Sequence, residues 1–182
     1  MNKNKIILLV ASVLILYTIS SNACSMYKIT KNGKTFVGNN EDFFSPNNQF
    51  WFETADTDKK FGVMYMGRIN NFAQGAINEA GLVFDGFANS KLAITNTEGK
   101  TKVSIVKALR NIMQSMATVE EVKKYLETID LSFLSSSMLV FVDKSGTYLI
   151  VEGELLITGD ESEKSFSNFY YSQIIKRSNN TC

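Results

Sequence analysis

Two thiols and the complete absence of histidine frame the chemistry open to this chain of 182 residues. Without histidine, a Ser-His-Asp triad, a Cys-His dyad and a His-ligated metal are all excluded. Acid–base work near neutral pH then falls to a perturbed carboxylate, lysine or thiol, or to the chain's own α-amine. Cys24 is placed to use the last of these. It follows a basic head (Met1–Lys5), a fourteen-residue run of almost purely apolar character (Ile6–Ile19) and the small, polar Ser20–Ala23. This is the order of a secretory signal peptide, and Ser21-Asn22-Ala23 predicts a cut before Cys24. The apolar run is shorter than the roughly 20 residues a membrane span needs, so no integral span is expected after cleavage. The cut would put a thiol and a primary amine on one residue. A free thiol is mostly protonated at pH 7, and a neighbouring neutral amine, with an ordinary pKa of about 8, can take that proton.

A carboxylate is needed to orient such an amine, and Gly38-Asn39-Asn40-Glu41-Asp42-Phe43 supplies two. Cys24–Thr30 and Lys34–Gly38 read as strands joined by a tight turn at Lys31-Asn32-Gly33. The hairpin brings Asp42 back beside Cys24. Alternation along a strand turns Glu41 to the opposite face, so Asp42 is the expected partner of the amine.

The elements that must hold these groups follow from periodicity. Phe61–Met66, Phe72–Ile77 and Leu82–Phe87 read as strands, the last two joined by Asn78-Glu79-Ala80-Gly81. Ile105, Leu109, Ile112, Met113 and Met116 recur at helical spacing, and Thr118-x-x-Glu121 opens a second helix with a capping box. Met138–Val142 and Thr147–Val151 read as buried strands. Strands, two helices and strands again imply an α+β fold. After Gly159 the chain turns polar, and no closing strand or helix pair is expected. Composition is that of a globular domain, 45% apolar and 20% charged. Removing 23 residues and two of the 19 basic side chains leaves 17 against 18 acidic ones, a mature charge of −1. That balance gives no basis for nucleic-acid binding.

Ala23-Cys24-Ser25, the Gly38–Phe43 stretch and Ile77-Asn78-Glu79-Ala80-Gly81-Leu82 resemble the choloylglycine hydrolase and penicillin V acylase family. Thr118-Val119-Glu120-Glu121-Val122, Ile150-Val151-Glu152 and Ser167-Asn168-Phe169 follow in the family's order. The resemblance implies an N-terminal nucleophile (Ntn) hydrolase with a four-layer αββα sandwich, here only its N-terminal half to two-thirds. It divides the chain into a signal peptide (1–23) and one domain (24–182) truncated at its C-terminus. Either the chain is a fragment, or a second copy or a complementing C-terminal segment completes it. The implied activity is hydrolysis of a linear C–N amide of a small N-acyl compound, through attack by Cys24 and a thioester acyl-enzyme. No cofactor or metal is implied. Asn168 matches a family oxyanion donor, and Asn89 stands beside Ala88, where the family has another asparagine. Asn39 stands where many members carry arginine, so it is a candidate substrate contact and bile-salt specificity is not carried over. Asn78 is expected to be structural. The expected location is periplasmic or secreted. The competing reading makes Cys24 a lipid-anchored residue, or the protein an inactive binding domain on the same scaffold; Ser21-Asn22-Ala23 fits a lipidation box poorly.

Overall fold

The computed structural model describes residues 24–42, 46–68 and 72–174. The expected signal peptide, Phe43 and Cys182 lie outside them. Ten strands and two helices run in the order β1 (Ser25–Lys31), β2 (Lys34–Asn40), β3 (Asn48–Glu53), β4 (Val63–Arg68), β5 (Phe72–Asn78), β6 (Val83–Ala88), α1 (Ile105–Ser115), α2 (Val119–Leu126), β7 (Ser137–Val142), β8 (Tyr148–Glu152), β9 (Leu155–Gly159) and β10 (Glu163–Ser167). Strands β3 to β9 form one antiparallel sheet in sequence order, with both helices inserted between β6 and β7. The other sheet has the order β10-β1-β2.

Local chemistry accounts for the joints. Asn32 and Gly33 take positive φ, 53° and 71°, the pair of left-handed residues that a two-residue hairpin demands. At the start of α2 the expected capping box is formed. The Glu121 backbone N–H donates to Thr118 Oγ1 at 3.3 Å, and the Thr118 N–H donates back to Glu121 Oε2 at 3.0 Å. Thr118→Ala is expected to cost about 1 kcal/mol and to lower Tm by about 2–4 °C in a thermal melt.

The apolar residues divide between two interfaces. Leu109, Ile112 and Met113 of α1 and Val122 and Leu126 of α2 pack on one face of the large sheet, against Phe84, Phe141, Leu149 and Val151. Its other face meets the small sheet through Met138, Val140, Val142 and Ile150 against Met26 and Phe166. Strands β7 and β8 are therefore buried on both faces, as their unbroken apolar runs predict. The described residues thus build three layers, helices, large sheet and small sheet. No described helix is long and apolar enough to cross a membrane.

Three strands, β3, β9 and β10, lie on segments for which the sequence predicts none. The segment after Gly159 does close the small sheet: β10 pairs antiparallel with β1, with Met26 opposite Phe166. Phe166 is its one buried apolar residue, with Lys164 on the same face over the Tyr148 ring, which is why its pattern reads as a loop. Strand β3 carries Phe50, Trp51 and Phe52 at the edge of the large sheet. Only Trp51 turns towards the helices, stacking on Tyr65 with ring centroids 5.3 Å apart, while Phe50 and Phe52 are 61% and 74% exposed.

Candidate active site

Cys24 stands immediately ahead of β1, the middle strand of the small sheet, so both neighbours bring residues to it. On one side Ser25 is opposite Asn40, which places the residues just after β2 beside Cys24. On the other, Ser25 is opposite Ser167, and the Ser167 hydroxyl donates to the Cys24 carbonyl at 2.9 Å.

The half-buried thiol donates to Glu41 Oε2 at 3.5 Å. The same oxygen accepts from Gln74 Nε2 at 3.1 Å, and Glu41 Oε1 accepts from Asn39 Nδ2 at 3.3 Å. Glu41, expected to point away, is thus the carboxylate at the sulfur. Strand β2 stops at Asn40, so alternation does not extend to the next two residues. Asp42 meets Cys24 through its backbone N–H, and the residue is exposed. Burial pushes the Cys24 thiol above its ordinary pKa. The Asp42 N–H opposes this, and the Glu41 charge and hydrogen bond add to it. A thiol in this setting needs a base before it becomes a nucleophile.

Asn168 follows Ser167 and so lies one residue from a direct contact with Cys24. Its Nδ2 donates to the Ala88 carbonyl at 2.7 Å, while its buried Oδ1 has no hydrogen bond. This contact draws Asn89 to the same corner, and the Asn89 Nδ2 is likewise buried without a partner. Glu152 of β8 holds the segment in place by accepting the backbone N–H groups of Tyr171 and Ser172, the latter at 3.1 Å. The Tyr170 hydroxyl donates to the Ser90 carbonyl at 2.5 Å.

Asp85 has no part in the sequence-based expectation. It lies on β6 and is 1% exposed. Its Oδ1 accepts the Gly86 N–H at 3.0 Å. Oδ2 is buried without a hydrogen bond of ordinary geometry, and the polar groups beside the carboxyl are Glu41 and Asn39. Burial first, and then the Glu41 charge, push its pKa up to about 8. An aspartate inside the apolar run Val83-Phe84-Asp85-Gly86-Phe87 is the mark that could have singled it out. Asp85 also lies in a row across the large sheet, opposite Gly75, which is opposite Met66, which is opposite Phe50.

The fold is shared with solved enzymes. Conjugated bile acid hydrolase from Clostridium perfringens, in two variant structures, matches with TM-scores of 0.66 and 0.67 at 22% identity, over 86% and 87% of this chain and 57% of theirs. Penicillin V acylase from Agrobacterium tumefaciens matches with a TM-score of 0.64 at 19% identity, over 87% of this chain and 56% of that one. The fold is therefore that of the Ntn hydrolases, as expected, and the chain spans somewhat more than half the length of these proteins. No curated protein sequence matches the chain. A family model does match, over residues 29–156, from within β1 to β9. By that match the chain belongs to the acyl-coenzyme A:6-aminopenicillanic acid acyl-transferase family, within the group of Ntn amide hydrolases and acyltransferases that its motifs predict.

Proposed function

We propose that the protein is an exported cysteine amidohydrolase that cleaves a linear C–N amide of a small N-acyl compound. The observation that carries this reading is the position of the Cys24 thiol. It lies where β1, β2 and β10 meet, bonded to Glu41 and touched by the Asp42 N–H. Before the cut the Cys24 nitrogen is an amide and no base. After it, the α-amine takes the thiol proton, and the thiolate adds to the substrate carbonyl. Asp42 orients the amine. Asn168 and Asn89 donate to the oxyanion of the tetrahedral intermediate. The ammonium returns its proton to the leaving amine as the C–N bond breaks. Water then opens the thioester, releasing the acid and restoring the thiol. Asn39 contacts the substrate. The apolar part of the acyl group lies along Phe50 and Met66, in the row that leads to Asp85. The family's acyl-transferase description supports a variant in which an amine, in place of water, takes the acyl group.

Mass spectrometry of the exported protein tests the first step. The chain is expected to begin at Cys24 with an unmodified amine, and a short incubation with an N-acyl amide is expected to add the acyl mass to that residue. A diacylglyceryl adduct on Cys24, or a start elsewhere, would overturn the reading and leave a lipid-anchored or inactive binding protein.

A further inference from the structure

The chain places two carboxyls beside one thiol in a site that already disfavours charge. Asp85 is held inside the protein by β6, with Gly75 of β5 and Val140 of β7 opposite it in register. Neither of those residues titrates. The ionisable groups that face Asp85 are Glu41 and, beyond it, Cys24. Asp42 follows Glu41 and is exposed. The polar neighbours of this corner are the Asn39 and Gln74 amides, both bonded to Glu41, and the Gly86 N–H on Asp85 Oδ1. That leaves Asp85 Oδ2 buried and unbonded. Two neighbouring carboxyls in a dry site do not both ionise, and a shared proton satisfies both.

We infer that Asp85 is a positioning residue for the thiol site: as a neutral acid it donates a hydrogen bond to Glu41, so that the two carboxyls present one negative charge to Cys24, and its ionisation makes the thiol less reactive. The proton sits on the more buried group: Asp85 is 1% exposed, while Glu41 is only partly buried and accepts the Asn39 and Gln74 amides. With Asp85 ionised, a second negative charge opposes formation of the Cys24 thiolate. The change falls near pH 8, where burial and Glu41 hold the Asp85 carboxyl. The inference rests on Cys24 being the nucleophile, yet it can be read without any turnover.

The mature chain, Asp85→Asn and Glu41→Gln are compared by three measurements. The first is the rate of alkylation of Cys24 by iodoacetamide from pH 6 to 10, followed on the Cys24 peptide. Asp85→Asn keeps a donor for Glu41 and fixes the neutral state. It is expected to match the parent at pH 6 and to react about threefold faster at pH 9, since a thiol pKa lower by half a unit changes the thiolate fraction by about that much. Glu41→Gln removes a charge at the sulfur and is expected to react faster than the parent at pH 8. The second is Tm against pH. A carboxyl raised in the folded state favours folding fully below its unfolded pKa of about 4, and this contribution is lost as pH rises towards 8. Asp85→Asn is therefore expected to melt about 5 °C or more above the parent at pH 8.5, with the gap shrinking towards pH 4. The third needs no variant: the Asp85 carboxyl carbon, followed by NMR in the parent, is expected to titrate above pH 7. A titration below pH 5, a gap in Tm that ignores pH, or alkylation profiles that coincide at pH 9 would each overturn the inference. Absence of amide turnover, with these three results intact, would instead remove the amidase reading alone.

Discussion

Cys24→Ser is expected to lower kcat/KM for an N-acyl amide by about 10³-fold or more, equivalent to about 4 kcal/mol of transition-state stabilisation. The two side chains differ by one atom, and Cys24 is only half-buried, so packing changes little. Acidity separates them. A thiol with an ordinary pKa near 8.5 lies within reach of an amine near 8, whereas that amine cannot draw off a serine proton to a comparable extent. The variant should also keep its Tm within about 1 °C, because the Ser167 hydroxyl bonds the Cys24 backbone carbonyl, not the sulfur. Turnover within tenfold of the parent would exclude thiolate attack. A collapse of Tm would show that the sulfur holds the small sheet together.

Asn78→Ala should be the most damaging single change to stability near the turn between β5 and β6. The side chain is buried and makes three bonds: Oδ1 accepts the Leu82 N–H at 2.9 Å, while Nδ2 donates to the carbonyls of Met113 at 2.9 Å and Met116 at 2.8 Å. It thereby clamps a sheet turn to the end of α1. Alanine removes all three and leaves buried backbone groups without partners, at about 1–1.5 kcal/mol for each bond. The expected loss is about 3 kcal/mol, read as a lower urea midpoint with unchanged m and a Tm lower by about 6–12 °C. A loss below about 1 kcal/mol would mean that water replaces the amide. These three bonds make Asn78 the structural residue expected at this turn.

What the sequence discloses of this molecule is mostly local. Asn32-Gly33 marks its hairpin because few other pairs accept two positive φ values, and Thr118 with Glu121 marks a helix start through bonds within four residues. The runs at β7 and β8 announce burial on both faces. The neighbourhood of Cys24 was legible through the hairpin that returns to it. Which carboxylate touches the sulfur was not, because the choice between Glu41 and Asp42 depends on where β2 ends, and pairing decides that. The role of Asp85 is hidden for a related reason: its partners, Asn39 at the end of β2 and Glu41 just past it, lie more than 40 residues earlier in the sequence. Strand β10 is hidden because a strand with one buried apolar residue has no hydrophobic rhythm of its own and is defined by the edge it joins.

That last pairing carries a consequence for the order of events in the cell. Strand β1, which follows directly on Cys24, is synthesised well before Glu163–Ser167, yet that segment builds one of its two flanks. Contacts so distant along the chain form late. Until they do, β1 has a partner strand on one side only, and the Ser167 bond to the Cys24 carbonyl does not exist. Proofreading is thus intrinsic to the topology, since a chain interrupted before residue 163 never completes the small sheet beside Cys24.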